Sequence, residues 1–174
     1  MGLIIKCRKV VQIILVIIIC TVYFYSLYFY PYIKKTDDYI YQIDTQLNKK
    51  TLKKLYYFIE QEKIKNLKAM KSKSSINTLV RSQTIISFYL KTKKDFNRNW
   101  WRVEVLIWSF FSHVSLNIED IKKIYIYQKK YRLPRNLTNH NPYVKIYEYS
   151  QVFFKKNINE LTDGELKKLY FLSK

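Results

Sequence analysis

From Val10 to Ile33 no side chain is charged. At about 1.5 Å of rise per residue, such a run is long enough for the ~30 Å hydrocarbon layer of a membrane. The sequence therefore predicts one transmembrane helix over 10–33. Tyr23, Tyr25, Tyr28, Tyr30 and Tyr32 crowd its far end, where rings prefer the headgroup boundary, and Pro31 suits the exit. Lys6, Arg8 and Lys9 precede the run, while Lys34 and Lys35 after it are offset by Asp37 and Asp38. That asymmetry favours a cytoplasmic N-terminus over residues 1–9. No small-x-small cleavage site follows and Ile19 precedes Cys20, so the expectation is an uncleaved signal anchor with residues 34–174 outside the cytoplasmic membrane.

Charge bears on what such a domain meets. The 174 residues hold 32 Lys and Arg against 13 Asp and Glu, a net +19, which draws a protein toward anionic headgroups, diphosphates or other polyanions. The same chain is rich in Ile, Lys, Asn, Tyr and Phe, as AT-biased codons would make it, so charge alone selects no partner. Absences narrow the field further. Two glycines cannot build a phosphate-cradling loop, and two histidines with two cysteines, Cys7 and Cys20, leave no disulfide framework and no Cys/His zinc pattern. The sequence names no metal site.

Beyond the span, 34–46 is polar and mixed and reads as a juxtamembrane linker, with a single domain over 47–174. Leu52, Leu55, Tyr56, Phe58 and Ile59 begin a helical pattern that continues to Met70. A polar stretch from Lys71 to Asn77 leads into the apolar run Leu79 to Leu90, and Trp100 to Val114 reads as a central buried helix. Two later helix starts share a design, Leu116-Asn117-x-x-Asp120 and Leu161-Thr162-x-x-Glu165. In each a side-chain cap takes free backbone amides and an acid three residues on answers it, an arrangement whose loss costs about 1 kcal/mol. Arg132 to Tyr143, with Pro134 and Pro142, has loop chemistry, and the β-like IYIYQ at 124–128 follows a capped start that favours helix. The fold class expected is mainly α.

The closing stretch, Phe153-Phe154-x-Lys156-x-x-x-Glu160-Leu161-Thr162-x-x-Glu165, is more particular than capping requires. It resembles the Tyr-Phe-Gly-Lys, Glu-Leu-Thr, Glu-Ala segment of family 51 peptidoglycan glycosyltransferases, the transglycosylase domain of monofunctional enzymes and penicillin-binding proteins. Upstream, Glu119-Asp120-Ile121 with Ile124-Tyr125-Ile126 is similar to the family's Lys-x-x-Ile-Leu-x-x-Tyr-Leu-Asn helix, with Ile118 and Tyr127 replacing its lysine and asparagine. Ser74-Ser75-Ile76-Asn77 resembles Ser-Thr-Ile-Thr, and Glu60-Gln61-x-Lys63-Ile64 resembles Glu-Asp-x-Arg-Phe. The four segments stand in family order after a single N-terminal anchor.

The resemblance implies a lysozyme-like helical domain that polymerises lipid II into glycan strands and releases undecaprenyl diphosphate. Its partners would be lipid II and membrane lipid, with a glycan strand or a cell-wall synthase as further candidates and no nucleic acid. Glu60 matches the general base, which must be a carboxylate tuned by a partly desolvated cleft. Glu104, set among Trp100, Trp101, Val105 and Trp108, corresponds roughly to the second acid near the donor diphosphate. Arg81 is the candidate cation for that leaving group, with Ser74 and Asn77 as hydrogen-bond donors and Lys63 and Arg102 as further candidate substrate-binding residues. The family also implies a divalent metal, but Gln61 stands where its acid would be; Thr78 and Leu79 replace paired glutamines, and His-x-Gly has no counterpart. These departures open a second reading, a degenerate relative that binds lipid II, glycan or a synthase without turnover. A third, a nucleic-acid surface on the interleaved Lys and Tyr of 122–132, is opposed by the expected topology.

Overall fold

The computed structural model describes residues 2–24, 27, 30–69, 76–92, 101–134 and 142–172. Within these, the side chains of 2–9, 24, 31–33, 67, 69, 76, 79, 88–92, 101, 104–108 and 111 fall outside the description. The chain divides into two compact units, Met1–Thr36 and Asp37–Lys174.

The first unit contains helix α1 (Gly2–Phe24) and the start of α2 (Tyr30–Gln46). Residues 10–24 and 30–33 of the expected span are helical, and among the described residues no helix is long and apolar enough to cross a membrane. The large apolar side chains from Val10 to Tyr23 are nonetheless all more than half exposed. Residues 34–46, expected as linker, are helical and end in the core: Ile43 and Leu47 are buried.

The second unit is mainly helical, as its apolar periodicity dictates. It continues with α3 (Lys49–Ala69), α4 (Ile76–Thr92), α5 (Trp101–Ser115) and α6 (Ile118–Gln128), then β1 (Tyr131–Arg132), β2 (Tyr143–Val144), α7 (Ile146–Phe154), a 3-10 turn (Ile158–Glu160) and α8 (Asp163–Phe171). Helix α4 packs against α3, α5 and α6, and α8 packs against α3 and α7. This corrects the expectation that Trp100–Val114 is the central helix. On α4, Val80, Thr84 and Ile85 are buried, whereas among the described side chains of α5 Val103, Phe110 and Val114 are exposed and Ser112 is buried. The β-like IYIYQ is helical, within α6. The proline-containing loop is closed at its base by a two-stranded antiparallel pairing, Tyr131 with Val144 and Arg132 with Tyr143, extended by a 2.8 Å bond from Leu133 N–H to the Pro142 carbonyl.

Both capped starts form. The Asn117 side chain accepts from Asp120 N–H at 2.8 Å, and Thr162 and Glu165 exchange bonds as a capping box at 3.3 and 2.9 Å. Lys156 adds a 2.8 Å ion pair to Glu165, and these bonds hold that exposed carboxyl well below its ordinary value, at about 2. The stretch from Asn157 to Asp163 also fixes the beginning of the domain. Asn159 accepts from Asn48 N–H at 2.9 Å and donates to the Gln46 carbonyl at 3.0 Å, clipping the α2–α3 turn, while Asp163 pairs with Lys54. A local helix-start motif is therefore also the long-range clasp that sets α8 on α3.

Candidate functional site

Helix α3 presents its acids and bases on consecutive turns to α6, α4 and α8. Glu60 reaches Lys122 of α6: Oε1 accepts from Nζ at 2.7 Å. Lys122 is almost enclosed, its ammonium 5.3 Å from the Tyr56 ring, whereas the Glu60 side chain is 42% exposed. Among the described residues, Oε2 of Glu60 has no hydrogen-bond partner. The ion pair orients the carboxylate and leaves one oxygen able to accept a proton from a hydroxyl. The Tyr56 hydroxyl is buried and unpartnered among the described residues; burial, then the charges of Glu119, Asp44 and Asp120, raise its pKa. An orphaned hydroxyl costs about 1–3 kcal/mol.

Two residues on, Glu62 is the centre of a closed network. Its Oε2 accepts from the Tyr170 hydroxyl at 2.5 Å and from Lys129 Nζ at 3.3 Å, and the Tyr125 hydroxyl lies 3.2 Å from Oε1. Lys63, 2% exposed, donates to Gln83 Oε1 at 2.5 Å and Tyr125 Oη at 2.7 Å, with Glu62 at 3.5 Å. Its three protons thus have three protein acceptors. Burial opposes charge on Glu62, but the Tyr170 bond and the nearby Lys129 and Lys63 outweigh it and lower its pKa. Lys129, desolvated and 3.5 Å from the Tyr170 ring centroid, is pushed down to about 8 despite the attraction of Glu62. Desolvation also lowers Lys63 and raises the Tyr125 and Tyr170 phenols.

The other expected site residues are dispersed. Arg81 turns to the end of α5, where Nη1 donates to the Ser112 carbonyl at 2.7 Å and Nη2 to the Leu116 carbonyl at 3.2 Å. It thereby adds a donor to the Ser112 carbonyl, which already accepts from Leu116 N–H at 3.0 Å, and gives one to the Leu116 carbonyl just past the helix end. Asn77 and Arg102 are exposed, near the starts of α4 and α5. Glu104 belongs to α5 with its side chain outside the described residues, and Ser74 lies outside them altogether. Among the described residues no three His, Cys, Asp or Glu side chains gather as metal ligands. Gln61 offers one neutral oxygen, and Glu62 beside it already accepts from Tyr170 and Lys129, so this set does not fit the divalent metal that the family resemblance implies.

Sequence reasoning placed Tyr125 in a motif-like helix and Lys122 and Lys129 in a nucleic-acid reading, gave none of them a role beside Glu60 or Glu62, and left out Tyr170. A signal was present: 122, 125 and 129 stand at i, i+3 and i+7, so two lysines and a phenol share one side of a helix. That Glu60 would meet the first and Glu62 the other two was not legible. Compared with known proteins, the chain matches no family model, no curated protein and no solved structure.

Proposed function

We propose that this chain is a membrane-anchored relative of the family 51 peptidoglycan glycosyltransferases that binds a lipid-linked glycan precursor without polymerising it. The family reading rests on four motif-like segments in order along a chain whose described domain is mainly helical. Membrane anchoring rests on the uncharged run 10–33 and on the exposed apolar side chains of α1. A lysozyme-like arrangement of the helices and an extracytoplasmic position belong to the same reading.

One observation carries the choice of binding over turnover: Arg81, the cation that the resemblance assigns to a departing diphosphate, and Lys63, a further candidate substrate-binding residue, are bonded within the fold to two carbonyls at the end of α5 and to Gln83 and Tyr125. A leaving group that develops charge needs donors aimed at it, and donors already engaged supply little. The uncommitted Oε2 of Glu60 favours the catalytic reading instead, in which Glu60 takes the proton of the attacking hydroxyl. The two separate cleanly. Full-length protein in detergent is offered lipid II; the expected result is retained lipid with no lengthened glycan, unchanged in Glu60→Gln. Glycan product from the parent protein that disappears in Glu60→Gln overturns the binding reading and establishes the polymerase.

A further inference from the structure

Away from Glu60, the flank of α3 that meets α8 forms a groove with two adjoining hollows, of about 490 and 570 Å³. Tyr57, Phe58 and Lys167 line both; Lys53 borders the first, Lys65 the second. Phe58 is buried as the floor, while Tyr57 and Phe171 stand about half exposed on the walls. The two acids that touch the groove are already bound, Asp163 to Lys54 and Glu62 to Tyr170 and Lys129. Lys53, Lys65 and Lys167 are exposed and have no ion-pair partner among the described residues. The groove therefore combines apolar wells with uncompensated positive charge.

We infer that this groove docks an acidic peptide segment of a partner protein, whose apolar side chains enter the two hollows while its carboxylates meet Lys53, Lys65 and Lys167. Several features favour that occupant. Twelve residues of α3 separate Lys53 from Lys65, about 18 Å at helical rise, with Lys167 beside both hollows. A peptide with spaced acids spans that distance in about six extended residues. A neutral glycan needs many uncharged hydrogen-bond partners, and the lining offers three, the Tyr57 hydroxyl and the amides of Gln61 and Asn66. Apolar anchors in pockets with a charged rim are how helical grooves read short segments. The proposal is independent of any glycan chemistry, because Glu60 lines neither hollow.

The test uses the full chain in zwitterionic detergent and a fluorescein-labelled peptide in which leucine and phenylalanine alternate with glutamates. Its lysine-for-glutamate counterpart, an oligouridylate and phosphatidylglycerol vesicles serve as competing probes. The acidic peptide is expected to bind, to weaken with salt, and to lose at least about tenfold in affinity with Lys53→Glu/Lys65→Glu/Lys167→Glu and with Tyr57→Ser, each checked for unchanged helical circular dichroism. Lys130→Glu and Lys155→Glu, exposed lysines on other elements, should leave it unaltered. The inference is overturned if the peptide does not bind, if these control substitutions weaken it as much as the groove substitutions do, or if the oligouridylate or the vesicles bind through the same three lysines in preference to the peptide.

Discussion

Glu60 and Glu62 stand two residues apart on one helix, and the fold treats them oppositely. A helix turns through about 200° between such positions, so one side chain faces the rim of the α3–α6 contact and the other the junction of α3, α6 and α8. Glu60 meets a single lysine and keeps an oxygen open; Glu62 meets two lysines and two phenols. A carboxylate with several charge-assisted bonds in a secluded place becomes part of the framework, since removing it strands the cations gathered around it. A carboxylate with one partner at an edge stays available for chemistry or binding. The same division separates Arg81, turned inward to a helix end, from Lys53, Lys65 and Lys167, which face solvent.

Substitutions should expose that difference in order of size. Glu62→Leu leaves Lys63 and Lys129 enclosed without their acid and is expected to destabilise the chain by about 3–5 kcal/mol, measured by urea unfolding in detergent. A loss below about 1 kcal/mol would mean that the network does not organise the core. Arg81→Met removes charged bonds from the end of α5 and should cost about 2 kcal/mol while leaving lipid II binding intact. If binding falls and stability does not, Arg81 belongs with the ligand-facing lysines.

Titration sharpens the contrast next. Lys129 has a folded pKa of about 8 against 10.5 ordinarily, so between those values the unfolded chain holds more protons. Stability should therefore rise as pH increases through 8 toward 10, then fall once unfolded tyrosines ionise near 10 while buried Tyr125 and Tyr170 do not. Lys129→Met should flatten the rise. Glu62, with its lowered pKa, contributes stability that is complete above the ordinary carboxylate value of 4.5 and is lost as pH drops through its folded value. Smallest of all, Glu60→Gln should change stability by less than about 1 kcal/mol, because the amide oxygen still accepts from Lys122. A larger loss would place Glu60 with Glu62 as framework.

Helix starts were the most legible part of the chain, because a cap is a contact among residues three apart: Asn117 with Asp120, and Thr162 with Glu165, bond as their spacing requires. The hairpin was less so. Strands two residues long leave no alternation to read, and only their pairing across the loop defines them. Trp100 to Val114 misled because hydrophobicity measures what a helix can bury, not how many neighbours reach it; Phe110 and Val114 are apolar and exposed. The destination of Lys63 was hidden for a related reason. Its neighbours Gln83 and Tyr125 arrive from other helices, and nothing local distinguishes a lysine bound inward from one facing solvent.

Sequence by itself determined that this chain is mainly helical, where several of its helices begin, and that base greatly exceeds acid, since propensity, capping and charge are carried by residues and their near neighbours. Only the tertiary structure decided which charges cancel. Pairing needs groups brought together from distant segments, and burial then multiplies the difference between a partnered ion and a lone one. Two glutamates on one helix and a handful of lysines, alike in the sequence, thus became framework in one place and open surface in another.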